Sequence, residues 1–434
     1  MLKSFIKYLC LLCGVALTIV SCSKGDGSYE GTIILKTAPV DYILVGESMA
    51  VKVELTPADL KVKFTSENPK VATVNGNGIV TAVGGGVTNI TISAVDNPQI
   101  STSYRLTVKP LYTAPANTGF KQVGYIPYYR TVTASGIPDS KLKMMDVVCY
   151  AFAHINETTL MPEIQEPSKL KTLASRCKAL GVKCMLSFGV NSKKSMVKMA
   201  SSKETRDKFA DELIKMVKQY DLDGLDNDWE YPSTSDGSAQ TNLELMKRLS
   251  AYCHDPAVNK LLTMAITPAI YMGGYAEGVL DALHQYVDWY NVMVYGWAAG
   301  ESEIGMYPTV MSKLEKSYNY YINTRKMPTS KYLTGIGCYG NPSGISSSGR
   351  TLTYASIVNQ DPANSQKNEA VVVSSSHPGQ PFTIYYDGQP LVAQKTTWSM
   401  DRKLGGMMYW EVAQDKHDDH SLIKASNDAQ GRSY

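Results

Sequence analysis

From residue 120 onward the chain alternates between two kinds of segment, and this rhythm limits the fold more than any other feature. Eight apolar runs of strand length recur: KQVGYIP, DVVCYAFAHI, VKCMLSFG, DGLDNDWE, LLTMAITPA, VDWYNVMVY, YLTGIGCYG and GGMMYWEV. Between them lie stretches of helical periodicity such as SKLKTLASRCKALG, ETRDKFADELIKMVKQY, NLELMKRLSAYC and PTVMSKLEKSYNYYINT. Strands that are apolar on both faces suit a parallel sheet covered by helices. Eight strand–helix units predict a closed eight-fold β/α barrel, an α/β fold that collects its chemistry at the carboxyl ends of the strands.

The 434 residues exceed one such barrel, so a multidomain chain is expected. Residues 31–109 read as short strands with alternating β-branched residues and Gly, Pro and Asn punctuation, which predicts an all-β antiparallel sandwich. The run SENPKVATVNGNGIVTAVGGGVTNITI resembles the bacterial immunoglobulin-like group 2 module. Gly84-Gly85-Gly86 precedes a strand and lacks a following Lys, so it reads as a turn and not a phosphate loop. Residues 110–119, with two prolines, read as a linker, and 120–425 as the barrel, with a short insertion at about 340–395.

The first 21 residues read as an export signal: Lys3 and Lys7, an apolar run from Tyr8 to Val20, then Ser21-Cys22. The pattern resembles a bacterial lipobox, so Cys22 is expected to carry lipid and to be followed by a polar tether over 22–30. The expectation is a secreted lipoprotein held at the bacterial outer membrane and exposed at the cell surface. Five cysteines (Cys149, Cys177, Cys184, Cys253, Cys338) lie mostly within apolar runs at wide spacing, the pattern of buried thiols. A formal net charge of +3, part of it in the signal, gives no electrostatic reason to expect nucleic acid as a partner. Twenty-eight Tyr against seven Phe suits stacking on sugars as well as ordinary amphipathic surfaces.

The fourth run ends the argument about class. DGLDNDWEYP places Asp223, Asp226, Asp228 and Glu230 within eight residues. In a strand, alternate residues share a face, so Asp226, Asp228 and Glu230 point into the lumen, with Asp223 at the start of the strand. Three carboxylates in one low-dielectric lumen cannot all ionise cheaply, so at least one holds a proton near neutrality. Glu230, at the mouth, is placed to give that proton to a leaving oxygen, as glycosidic cleavage requires.

DGLDNDWEYP resembles the D-G-x-D-x-D-x-E signature of glycoside hydrolase family 18, the chitinases and endo-β-N-acetylglucosaminidases. Gly124-Tyr125, Tyr150-Ala-Phe-Ala-His154, Ser187-Phe-Gly189, Met293-Val-Tyr295 and Gly405-Gly-Met-Met-Tyr-Trp410-Glu411 fall on the strands where that family has comparable motifs. The resemblance implies that Glu230 is the general acid and then base, and that the substrate's own N-acetyl oxygen attacks the anomeric carbon. It implies that Asp228 orients the acetamido group, that Asp226 shares a proton with Asp228 and Glu230, and that Tyr295 supports the acetamido oxygen. Trp410 matches the floor of the reacting sugar, and Tyr125 and Ser187 match residues bonded to Asp226. Asp223, Tyr231, Met293 and Trp297 complete the substrate-binding candidates.

Three positions depart from the family pattern: Gly296 stands where an Asp is frequent, Val190 where a second Gly is frequent, and Asn227 where an apolar residue would face the helices. Trp297, Trp398 and Tyr339 are further candidate sugar platforms. Lys416-His-Asp-Asp-His420 reads as a solvated loop, and no metal or cofactor is expected. The substrate implied is a β-1,4-linked N-acetylglucosamine polymer or oligosaccharide, chitin first, with the chitobiose core of N-glycans as the alternative. An alternative of another class is a surface protein that binds glycans without cutting them. A monomer is expected.

Overall fold

The computed structural model describes residues 31–270, 273–296 and 310–434. The signal segment with Cys22, and Trp297, lie outside the described residues. Two compact units divide at Leu111/Tyr112.

In the first unit a four-stranded sheet runs in the order Ile43–Leu44, Ser101–Lys109, Gly86–Ala94, Val62–Ser66, and a three-stranded one in the order Ser48–Ala50, Ile79–Ala82, Ala72–Val74. Alternation along the long strands buries Ile90, Ile92, Leu106 and Val108 with Val71 and Val80. Two details differ from the sequence reading. The run MAVKVELTP, which reads as one of the short strands, is two, because Val53–Thr56 pairs with Thr32–Leu35 and not with the three-stranded sheet. Ile43–Leu44 joins Val108–Lys109 in parallel, so the sandwich is not wholly antiparallel.

In the second unit eight parallel strands close into a barrel: Lys121–Pro127, Val147–Ile155, Lys183–Phe188, Gly224–Asn227, Leu261–Ile266, Tyr290–Val292, Tyr332–Gly337 and Gly406–Trp410. We number them barrel strands 1 to 8. Strand 1 pairs with both strand 2 and strand 8, which closes the ring. A short antiparallel strand, Pro162–Ile164, hangs on the end of strand 2. The five cysteines of this unit are free and buried.

Register fixes what meets in the lumen. Ser187, Asp226 and Thr263 stand level on strands 3, 4 and 5. Outward-facing Asn227 finds the partners that a buried amide needs: its Nδ2 donates to Asn242 Oδ1 at 2.8 Å, and its Oδ1 accepts the Trp229 amide at 3.1 Å.

At the amino ends a repeated device ties strands in pairs. Asp146, Asp223 and Asp288 precede strands 2, 4 and 6, and each accepts a backbone N–H from the strand before. The donors are Gln122 (2.7 Å), Cys184 (2.8 Å) and Leu262 (2.7 Å). Each aspartate's own amide bonds back to the carbonyl of that same residue. Asp223 is therefore a strand clamp at the end of the barrel opposite the mouth, which corrects its assignment to substrate binding.

The segment read as a linker is pinned from Tyr112 onward across these amino ends. Tyr112 O accepts from Ser250 Oγ, Ala114 N donates to Gln285 O, and Asn117 Nδ2 donates to Ser330 O. It walls a cavity of about 490 Å³ that is shared with Met145, Trp289 and Arg432 and lies away from the acidic strand end. The insertion after strand 7 is more ordered than its polar sequence suggested. Leu352–Thr353, Tyr339–Pro342, His377–Tyr385 and Glu369–Ser374 form a four-stranded antiparallel sheet, with the helix Tyr354–Gln360 beside it.

Candidate active site

The carboxyl end of strand 4 projects Asp226, Asp228 and Glu230 toward the mouth. Asp226 and Asp228 are buried, and Glu230 is partly exposed above them. Among the described residues, no Lys or Arg is paired with any of the three. The Asp228 amide donates to Phe188 O at 2.8 Å, so strand pairing continues to the level of the acids.

The two aspartates sit in opposite surroundings. Asp226 accepts four hydrogen bonds: from Thr263 Oγ1 (2.6 Å) and Asn291 Nδ2 (3.1 Å) on Oδ1, and from Tyr125 Oη and Ser187 Oγ (2.8 Å each) on Oδ2. Asn291 also donates to Tyr125 Oη at 2.8 Å, which aims that hydroxyl's proton at the carboxylate. Burial raises the Asp226 carboxyl above its ordinary range, and these four donors pull it back by favouring the charged form. Asp228 has no such cage, and its Oδ1 is buried without a hydrogen-bond partner. Burial, then the charges of Glu230 and Asp226, push it well above the usual carboxylate range. Burial also raises Glu230, and a hydrogen bond from the adjacent Tyr231 hydroxyl partly offsets this.

Such a column sorts its protons by environment. The caged end favours the anion, the uncaged centre favours the acid, and the upper member stands where a proton can leave or enter. Tyr125 and Ser187, assigned from the sequence, are in place around Asp226. Thr263 and Asn291 were missed. Their one signal was a polar side chain at lumen parity within the apolar runs LLTMAITPA and VDWYNVMVY.

Aromatic side chains surround the column. Tyr295, at the end of strand 6, is buried within the field of Asp228 and Glu230 and stands edge-on to Tyr339, 6.4 Å between centroids. Met293 is buried with it in the lumen cluster. Trp410 ends strand 8, 5.7 Å from the Tyr125 ring and stacked with Phe152 at 5.8 Å. The peptide bonds before Phe152, Tyr231 and Glu411 are cis, all at carboxyl ends of barrel strands.

Gly296 follows Tyr295 with φ +73°, and a Cβ there would lie 2.5 Å from the Tyr339 hydroxyl. While Tyr339 holds its place, position 296 is closed to any side chain. Val190 packs against the lumen cluster. Trp398 is not at the mouth: it lies on the helix Gln389–Asp401, donates to Glu315 Oε2 at 3.0 Å and carries Arg402 over its ring. His417 bonds Gly136 O and His420 bonds Asp418. Among the described residues, no cluster of three His, Cys, Asp or Glu is arranged to hold a metal ion.

Comparison with known proteins gives two family matches: glycosyl hydrolases family 18 over residues 121–415, and bacterial Ig-like domain (group 2) over residues 35–103. Chitinase 1 of Aphanocladium album is 25% identical over 262 residues, 54% of this chain and 61% of that protein, so this chain spans less than two thirds of that relative. A class V chitinase of Medicago truncatula, CHIT5a, is 24% identical over 294 residues, 59% of this chain and 76% of the other. Among solved structures, the GH18 chitinase from Cycas revoluta in complex with (GlcNAc)3 superimposes with a TM-score of 0.60 at 22% identity. That match covers 72% of this chain and all of the other, and it bears on the fold.

Proposed function

The chain belongs to family 18 of the glycosyl hydrolases, and from that premise we propose that its barrel hydrolyses β-1,4 bonds that follow N-acetylglucosamine, with chitin or chitooligosaccharides as substrate. The observation that carries this reading is the column Asp226–Asp228–Glu230: burial raises all three carboxyls, four donors offset that rise only at Asp226, and Asp228 is raised well above its ordinary range.

In this reading the reacting sugar rests on Trp410 with its acetamido group turned down toward Asp228 and Tyr295. Asp228 takes the acetamido N–H, which sharpens the carbonyl oxygen as a nucleophile. That oxygen forms a bond to C1 as the C1–oxygen bond to the leaving sugar breaks, and Glu230 gives its proton to the departing oxygen. Proton sharing between Asp228 and Asp226 accommodates the positive oxazolinium that results. Water, deprotonated by Glu230, then opens the ring from the face the leaving group left, so configuration is retained. The mature chain is proposed to reach its substrate as an outer-membrane lipoprotein anchored through Cys22. Mass spectrometry of its N-terminal peptide tests this.

The functional test incubates soluble protein from Ser23 onward with chitohexaose and, in parallel, a high-mannose glycopeptide, with a Glu230→Gln control. Shortened chitohexaose with retained anomeric configuration, absent from the control, is the expected result. Cleavage confined to the glycopeptide would replace chitin by the N-glycan core. Binding with no cleavage of either would overturn catalysis altogether.

A further inference from the structure

Across the mouth from Trp410 a second aromatic cluster borders Glu230, built by the segments that follow strands 3, 4 and 5. Tyr231 follows the acid directly. Tyr275, on the short helix Gly274–Glu277 after strand 5, lies 5.5 Å from the Tyr231 ring at an interplanar angle of 40°. Lys193, which opens the helix Lys193–Ala200 after strand 3, holds its ammonium 4.6 Å from the centre of the Tyr275 ring. That ammonium is itself fixed by Asp236 at 3.2 Å.

Tyr275 is nevertheless 49% exposed, although it is a large ring in an ordered loop. Its backbone is seated on the segment after Glu230. A Cβ on Gly274 would come within 2.5 Å of Ser233 Oγ, and one on Gly278 within 2.2 Å of Pro232 O. Gly278, which faces backbone, is therefore required for this close approach, whereas a side chain at 274 would displace the Ser233 hydroxyl. The Gly274 carbonyl accepts the Thr234 amide at 3.2 Å. The loop thus spends its contacts on holding an exposed ring at a set distance from the catalytic carboxyl, and packing does not use the exposed part of that ring.

We propose that Tyr275 is a specificity-determining residue: it carries the N-acetylglucosamine unit on the leaving side of the scissile bond, with Lys193 fixing the ring. The inference rests on the hydrolase reading above. Trp410 on strand 8 and Tyr231–Tyr275 on the loops after strands 4 and 5 face each other across the barrel. A sugar on Trp410 with its anomeric carbon under Glu230 therefore sends its leaving unit toward Tyr275. A flat ring with a hydroxyl suits the apolar face and polar rim of such a sugar.

The test compares chitohexaose, which has sugars on both sides of the bond, with β-chitobiosyl fluoride, whose leaving atom is too small to reach Tyr275. Tyr275→Ala is expected to raise KM for chitohexaose about tenfold and leave fluoride hydrolysis within about twofold. Tyr275→Phe should keep most of the hexaose activity, and Lys193→Gln should fall between the two. Fluoride hydrolysis by the unmodified protein checks the parent reading separately, and its absence would remove both readings. An unchanged KM for chitohexaose in Tyr275→Ala, or an equal loss on both substrates, overturns the assignment while leaving the hydrolase reading intact. Melting temperatures of the variants equal to the parent's show that the exposed side chain was removed without harm to the fold.

Discussion

The two ends of the barrel treat aspartate in opposite ways. At the amino ends Asp146, Asp223 and Asp288 each accept a strand amide, and two have a basic partner as well: Arg432 for Asp146 and His254 for Asp288. At the carboxyl end of strand 4 three carboxylates are stacked with no paired cation among the described residues, and the middle one has a buried oxygen with no donor. The same side chain is a fastener at one end and, at Asp228, a buried acid lacking a donor at the other. A fold tolerates the second arrangement only where its cost is returned as function, and the first arrangement is part of what supports it.

The widest separation between the ends comes from Asp228→Asn. Its folded pKa lies above its unfolded one. The native carboxyl therefore adds stability below the ordinary carboxylate range and loses it as pH rises through the raised value. Removing the charge should lower kcat roughly 10²-fold or more. It should also raise stability at pH 7–8 by about 1–3 kcal/mol, with the gain fading in acid. Paired activity assays and thermal melts across pH read both effects, and a variant less stable at pH 8 would break the contrast.

Disturbing the cage around Asp226 should cost less. Thr263→Val and Asn291→Leu each remove one of four donors and should lower kcat by about tenfold with little change in KM. A loss confined to KM would mean that these residues only shape the pocket. Asp288→Ala addresses the other end. It strips a strand amide and His254 of their acceptor, so stability should fall by roughly 1–3 kcal/mol while kcat stays near the parent's in protein that remains folded. A large kcat loss there would show that the two ends are coupled. The smallest effect expected is from Tyr231→Phe. The Tyr231 hydrogen bond lowers Glu230, so its removal should move the alkaline limb of kcat/KM upward, by less than about one pH unit.

Much of this contrast was legible in the sequence. Strand parity alone put Asp226, Asp228 and Glu230 on one face, and apolar rhythm alone gave eight strands, because both are local properties of a few consecutive residues. What escaped depends on register between segments far apart. Thr263 meets Asp226 across 37 residues and Asn291 across 65, and each looked like an ordinary polar interruption in an apolar run. Asp223 was misassigned for the same reason: in the sequence it adjoins the acids of the column, yet its partner is an amide on strand 3. The insertion was placed at about 340–395, but its sheet was hidden because its strands pair across a gap, Tyr339–Pro342 with His377–Tyr385. The seat of Tyr275 was hidden too, since a glycine's close approach is invisible until the surface it approaches is known.

The contact between Gly296 and Tyr339 has a consequence for how this site can diversify. A side chain at 296 collides with the Tyr339 hydroxyl, so the order of substitutions matters: position 339 must shrink or swing away before position 296 can gain a Cβ. Clearing Tyr339 removes the collision and leaves the left-handed backbone at φ +73°, which strains any residue but glycine, so the second step still carries a cost. Libraries meant to move an acidic group into position 296 should therefore start from variants at Tyr339.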